Sequence, residues 1–329
     1  MRKTEICPML LKPAFRAYPW GGERLLRDFG KETDVRPLAE SWEVSCHEGW
    51  LSVIASGPDQ GRTLRDYLLE EPKRMHEDAL EGEVFPLLIK LIDAKRTLAL
   101  QVHPDDAYAR RVEGSQGKTE MWVVLDAAPG AGVYYGFKEN TSEKQVRDAI
   151  EAGTLCDLLA FFEVRVGDAF FIPSGVVHAI GEGLVVAEVQ QNSDITYRLY
   201  DFGYLGPDGK PREMHIDKGL EVARLQPAPQ RHMGEREEEV VRGGTRIMLA
   251  DCEWFSVSML NVEGDMPLHA DGRSFHALLC VSGSCGITFG GERLTLDRGA
   301  SAFVPAGIGE YVLSGSAQVL LSARSHAQG

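Results

Sequence analysis

Cysteine is sparse and unpatterned in this sequence. Its six copies stand at positions 7, 46, 156, 252, 280 and 285 with no CxxC spacing, which gives no basis for a disulfide framework and fits reduced thiols in a cytoplasm. Long apolar runs are also missing. None approaches the ~20 residues needed to span a bilayer, so no membrane association is expected. The opening "MRKTEICPML" has basic residues but neither an apolar segment nor a small-residue cleavage site, so no secretory leader is expected. Positive charge is short as well: 35 Lys and Arg against 49 Asp and Glu leave a net charge of −14. That balance disfavours nucleic acid as a partner and leaves room for a small anionic substrate where a few cations cluster. What remains is an ordinary globular composition, 43% hydrophobic and 26% charged, over 329 residues, long enough for two domains.

Glycine and proline divide most of the chain into short strands. Two stretches read as helical. Residues 63–80, "TLRDYLLEEPKRMHEDAL", are interrupted or restarted at Pro72. Residues 142–162, "SEKQVRDAIEAGTLCDLLAFF", begin with Ser142 and Gln145 at capping-box spacing, and Gly153 divides them into two short helices. From 163 the pattern is strand and turn. Residues 226–239, "QPAPQRHMGEREEE", combine prolines with a charge run and read as a linker, giving domains at 1–225 and 240–329.

An internal near-repeat is the most informative feature. "GDAFFIPSGVVHAI" (167–180) and "GASAFVPAGIGEYV" (299–312) share one frame: Gly, five residues, Pro, one residue, Gly, two residues, then His178 in the first and Glu310 in the second. Each describes a strand, a tight turn and a returning strand, as in a small antiparallel barrel with the turn residue aimed at its mouth. The expectation is a mainly β protein of two barrels with a few short helices, the first carrying the chemistry and the second structural.

In "ALQVHPDDAYA" (99–109), Gln101 and His103 lie at alternate positions and therefore share a strand face. Glu120 follows in "GKTEMW" and His178 arrives on the later hairpin. Two imidazoles, a carboxylate and an amide oxygen suit a borderline divalent ion such as zinc. The residues alone leave open that Gln101 is a satisfied core amide and His178 a turn residue. Pro104, Asp105 and Asp106 read as the turn ending the ligand strand.

The Gly-x5-Pro-x-Gly-x2-His frame resembles the second cupin motif. Together with "QVHPDD", "GKTEMW" and "YRLYDFG", and with "YPWGGERL", "AESWEVSCHEG" and "GKPREMHIDKGLEV" in support, it resembles the type I mannose-6-phosphate isomerases in their shorter bacterial form. The resemblance implies two cupin-like barrels (jelly rolls), the second degenerate, in a cytoplasmic enzyme whose partner is a small sugar phosphate. It implies one Zn2+ per chain on Gln101, His103, Glu120 and His178, and interconversion of mannose 6-phosphate and fructose 6-phosphate through an enediol. Monomer and homodimer are both open.

Such a reaction needs charge to hold an enediolate and an acid/base group to carry the proton. Lys118 lies two residues before Glu120, hence on its face in an extended segment. Asp194 and Arg198 lie in "NSDITYRLY" on the strand after the His178 hairpin. These three are the catalytic candidates, with Lys118, Asp194 and a metal-bound water each open as the base. Lys90, a charge in the apolar "LLIKL", is the substrate-binding candidate or, alternatively, an edge-strand gatekeeper. Arg198 could instead pair with Asp194 or Asp201. His47 has no evident chemical partner, His215 reads as a helix-start or pocket-edge residue, and His269 and His276 lack a complete ligand set. Trp20, Trp42 and Trp122 read as core or pocket walls. Tyr204 stands where members of the family often have a basic residue. Two alternatives are carried: another metal-dependent cupin enzyme, of epimerase or dioxygenase type, and a non-catalytic sugar-phosphate-binding regulatory protein.

Overall fold

The strand Leu87–Ala94, LLIKLIDA, is buried at every position, which accounts for an apolar run where a half-exposed strand would alternate. In the computed structural model, which describes residues 6–206, 208–228 and 236–325, it lies inside a six-stranded sheet. The order is Ala169–Ile172, Glu120–Ala127, Leu184–Gln191, Leu87–Ala94, Glu40–Val44 and Ala14–Arg16, with every pairing antiparallel.

Both faces of this sheet are covered. On one side Ile92, Trp122 and Val186 meet Val133, Tyr135 and Ile180 of a five-stranded sheet. That sheet runs Tyr197–Tyr200, Leu100–Val102, His178–Ile180, Gly132–Phe137 and Leu159–Glu163. On the other side Leu87, Ile89, Met121 and Val189 pack on Phe255, Phe275, Leu279 and Phe303 of a ten-stranded sheet. The ten-stranded sheet encloses its own core, including Leu278, Ile287, Tyr311 and Leu313. It also takes in the N-terminal strand Met9–Lys12, which pairs with Ser301–Val304.

The molecule is mainly β, as expected, with two cupin-type units back to back. The sheets stay open and pack as sandwiches; hydrogen bonding does not close either unit into a barrel. No helix of the described residues is long and apolar enough to cross a membrane.

The punctuation in the sequence appears at the expected places. Ser142 and Gln145 form a full capping box on the helix Glu143–Ala152, and Gly153 ends it in the left-handed region at φ 72° before the short helix Leu155–Leu158. Thr63 caps Leu64–Glu70, and Pro72 opens a separate 3-10 turn. Both copies of the repeat have left-handed glycines in register: Gly167 and Gly175 at φ 92° and 85°, Gly299 and Gly307 at 85° and 78°. Of the linker expected at 226–239, residues 229–235 lie outside the described residues, and its last two positions begin the strand Glu238–Val241.

Candidate metal centre and its pocket

Three residues on three strands converge. His103 follows Leu100–Val102, Glu120 opens Glu120–Ala127, and His178 opens His178–Ile180. Their ligand atoms all lie within 4.8 Å of one another and all three residues are buried. His103 Nε2 stands 3.5 Å from Glu120 Oε2, and His178 Nε2 3.3 Å from Glu120 Oε1. The fourth expected ligand, Gln101, is directly opposite His178 in the five-stranded sheet, and its amide nitrogen lies 3.4 Å from His178 Nε2. Rotation about the terminal torsion exchanges that nitrogen for the oxygen.

The imidazoles are oriented from behind. His103 Nδ1 donates to the Ile195 carbonyl at 2.8 Å, and His178 Nδ1 to the Val176 carbonyl at 2.9 Å. This commits each proton to Nδ1 and turns the Nε2 lone pair toward the shared centre. Burial, with Lys118 nearby, holds His103 well below the ordinary histidine range, and burial brings His178 down to about 4. Both are therefore neutral at pH 7. Glu120 Oε1 is buried without a hydrogen-bond donor, a costly state for a carboxylate. Burial, and then the facing Glu188, raise the Glu120 carboxyl. Neutral imidazoles beside an unsatisfied carboxylate oxygen and an amide are a donor set that fits one divalent ion.

Lys118 joins this cluster as its position ahead of Glu120 required. Its ammonium lies 2.7 Å from Glu120 Oε2 and 3.3 Å from His103 Nε2. Lys90 is not an edge residue. Its strand is paired on both sides, which rules out the gatekeeper reading, and its ammonium lies 3.2 Å from Glu188 Oε1 and 4.7 Å from the centre of a Trp42 ring. Asp105 caps the helix Asp106–Val112 through the Tyr108 amide, so the break after the ligand strand is turn chemistry, as expected.

Arg198 pairs with neither Asp194 nor Asp201. Asp201 is held by Arg212, and Asp194 by His47 at 3.4 Å. The expectation that His47 lacks a partner is therefore corrected: the two residues are far apart in sequence and meet where the loop after Glu40–Val44 comes beside the loop after Leu184–Gln191. The His47 hydrogen bond draws the Asp194 carboxyl down to about 2. His215 lies at the start of the helix Ile216–Val222, where its side chain forms no cap and instead accepts the Arg198 amide at 3.3 Å. Trp20 and Trp42 are pocket walls, and Trp122 donates to Glu188 at 2.9 Å. Tyr204 is buried, with its hydroxyl donating to the Thr97 carbonyl. In the second unit His276 meets the Tyr311 hydroxyl at 2.8 Å, and exposed Glu310 lies across from His269.

Gln101, Lys118, Lys90, Asp194 and Arg198 all line one cavity of about 140 Å³. Sequence reasoning missed four of its charged residues: Glu188, Arg16, Glu40 and Arg212. Glu188 had a signal of the kind that singled out Lys90, a lone charge within the apolar "LVVAEVQQ", and the two lie directly opposite each other. Burial raises the Glu188 carboxyl, but Lys118 and Lys90 more than reverse this and leave it lowered, hence ionised.

Two back-to-back sandwiches, with histidines, a carboxylate and an amide converging in the mouth of one, define a cupin-type protein with a candidate metal centre. Comparison with known proteins narrows this further. A family model for the phosphomannose isomerase type I catalytic domain matches residues 9–125, and one for the mannose-6-phosphate isomerase cupin domain matches residues 245–324. The mannose-6-phosphate isomerase ManA of Bacillus subtilis (strain 168) is 37% identical over 316 residues, 96% of this chain and 98% of that protein. The mannose-6-phosphate isomerase of Streptococcus mutans is 33% identical over 96% of this chain and 98% of its own. A crystal structure of the Bacillus subtilis mannose 6-phosphate isomerase superposes with a TM-score of 0.88 at 33% identity, covering 96% of this chain and 99% of that one. The chain belongs to the type I mannose-6-phosphate isomerase family of enzymes.

Proposed function

We propose that this protein is a zinc-dependent aldose–ketose isomerase that interconverts mannose 6-phosphate and fructose 6-phosphate through an enediol. One ion per chain would be held by Gln101, His103, Glu120 and His178. The observation that carries the reading is the pair of neutral imidazoles converging on an unsatisfied buried carboxylate oxygen, in contact with Gln101 and Lys118 of a pocket lined with cations. A divalent ion there supplies Lewis-acid charge for the carbonyl and adjacent hydroxyl oxygens of an open-chain sugar.

The chain's own groups account for the rest. The net reaction moves one proton from C2 to C1 and another between the two oxygens. Lys118, beside Glu120, is placed to give and recover the oxygen-bound proton. Glu188, ionised between Lys90 and Lys118 and lining the same cavity, is placed to carry the carbon-bound one. Arg198, opposite Gln101 in the sheet, faces the metal end, where its planar fork meets charge developing on the enediolate. Asp194, kept ionised by His47, accepts from sugar hydroxyls at the rim. In this reading residues 1–225 perform the chemistry, and 240–329 form a ligand-poor unit backing the six-stranded sheet. The six free cysteines support a reducing compartment, the cytoplasm.

A coupled assay on mannose 6-phosphate, before and after chelation, tests the proposal. Turnover should vanish with chelator and return with zinc. Protein loaded with about one zinc per chain that does not isomerise mannose 6-phosphate would sink the reading.

A further inference from the structure

Five cations face the pocket: Arg16, Lys90, Lys118, Arg198 and Arg212. Three are neutralised inside the protein, Lys90 by Glu188 at 3.2 Å, Lys118 by Glu120 at 2.7 Å and Arg212 by Asp201. Among the described residues, Arg16 and Arg198 form no ion pair. Arg198 is committed to the metal end by its register with Gln101, itself opposite His178. Arg16 enters the cavity from a strand further across the sheet. Its strand, Ala14–Arg16, lies four places across the sheet from Glu120–Ala127, on the order of 19 Å at strand spacing, and the arginine stem reaches back over part of that span.

The register also fixes which way Arg16 points. Arg16 is opposite Glu40, and Glu40 is opposite Ile92, a residue of the core between the six- and five-stranded sheets. Directly opposed residues share a face, so Arg16 faces the pocket. Its guanidinium is held by three rings, with centroids at 5.0 Å for Tyr18, 4.9 Å for Trp42 and 4.7 Å for Trp50. Cation–π contact uses the faces of the rings and the flat of the guanidinium. Among the described residues no hydrogen bond or ion pair uses its N–H donors, which leaves them for a tetrahedral oxyanion. Fixing such a fork in advance removes much of the ordering cost of binding.

We propose that Arg16, caged by Tyr18, Trp42 and Trp50, is the phosphate anchor of this pocket and so sets its preference for phosphorylated over free sugars. The inference rests on the phosphosugar reading above. The candidate ligands and Lys118 cluster around the start of Glu120–Ala127, and the caged, unpaired guanidinium comes from Ala14–Arg16, four places across the sheet. A sugar with its reacting carbons at the ligands and a terminal phosphate spans the two.

The test has two arms on the same variants, Arg16→Gln and Arg16→Lys, each first checked for an unchanged thermal midpoint. In the first arm, binding of inorganic phosphate is followed through tryptophan fluorescence, for which Trp42 and Trp50 are in-built reporters. Wild type should respond saturably, Arg16→Gln should lose at least tenfold in affinity, and Arg16→Lys should retain part of it. In the second arm, KM for mannose 6-phosphate should rise at least tenfold in Arg16→Gln with kcat within about twofold. Competitive inhibition by phosphate should weaken in parallel. Undiminished phosphate binding in Arg16→Gln overturns the proposal, as does a fall in kcat at constant KM. Wild type that binds phosphate but does not isomerise mannose 6-phosphate overturns the functional reading alone, since the binding arm still decides the role of Arg16. If Arg16→Gln unfolds, Arg16→Lys decides: the charge remains but the planar fork is lost, and unchanged phosphate affinity counts against the anchor.

Discussion

Lys118 and Arg198 both carry charge into the cavity, but their surroundings separate their roles. Lys118 is fully enclosed, with its ammonium 2.7 Å from Glu120 and 4.0 Å from Glu188. Lys118→Met keeps most of the stem and removes the ammonium. Zinc content should stay near one per chain while kcat falls by about 10²-fold or more, and unchanged turnover removes Lys118 from the mechanism. Among the described residues Arg198 has no ion pair, and the proposed function makes the substrate its partner. Arg198→Lys should lower kcat and kcat/KM together, the mark of an interaction made in the transition state. A rise in KM alone would move Arg198 to the phosphate end and weaken the division of labour with Arg16. At this scale the candidate ligands and Lys118 were legible in the sequence, through strand spacing, the hairpin frame and the family resemblance together. The sequence did not show the His47–Asp194 pair, since nothing in either neighbourhood specifies a partner on a distant loop.

The hairpin that presents His178 depends on its glycine. Gly175 has φ 85°, and a Cβ there would come within 2.9 Å of the Val222 carbonyl. The conformation alone costs a non-glycine residue roughly 1–2 kcal/mol, and the carbonyl contact adds to that. Gly175→Ala should therefore lower the stability of metal-free protein by more than about 1 kcal/mol and weaken zinc binding, as the turn relaxes and carries His178 away from Glu120. Denaturant titration and a zinc competition assay measure the two effects. A variant with wild-type zinc affinity would show that the turn does not set the ligand geometry. The corresponding Gly307 is also left-handed, at φ 78°, yet its Cβ would meet nothing within 4 Å. The same frame thus supports a tight, packed turn in one unit and an open one in the other. Proline and glycine spacing made both turns legible, whereas the packing around them was not.

The six-stranded sheet is held between two cores, and only one of them belongs to the pocket. On the far face Phe275 stacks on Phe303 with centroids 5.5 Å apart and meets Phe85 at 4.7 Å. Phe275→Ala should cost about 3–5 kcal/mol of stability, with kcat/KM for mannose 6-phosphate within about twofold at a temperature where the protein remains folded. A large catalytic loss with little destabilisation would mean that the second unit shapes the pocket directly. The division of ligands also predicts the metal count. Elemental analysis should find about one divalent ion per chain, lost in His103→Ala or His178→Ala and retained in Glu310→Ala, because Glu310 is exposed and among the described residues no ligand set surrounds it.

Local chemistry decided what could be read from the sequence alone. Gly and Pro limit backbone angles over a few residues, Ser142 and Gln145 satisfy a helix end four residues long, and alternation puts Gln101 with His103 and Lys118 with Glu120. All of these act within one element and leave a pattern in the chain itself. The tertiary structure decided the rest. It showed that Lys90 lies in a central strand across from Glu188, that His47 reaches Asp194, that the N-terminal strand Met9–Lys12 joins the far sheet, and that Arg16 joins the same cavity from a strand four places across the sheet from Glu120–Ala127. Those relations follow from strand order and from which sheet faces which. They are set by burying apolar faces against one another, and that driving force is non-directional and names no particular partner in the sequence.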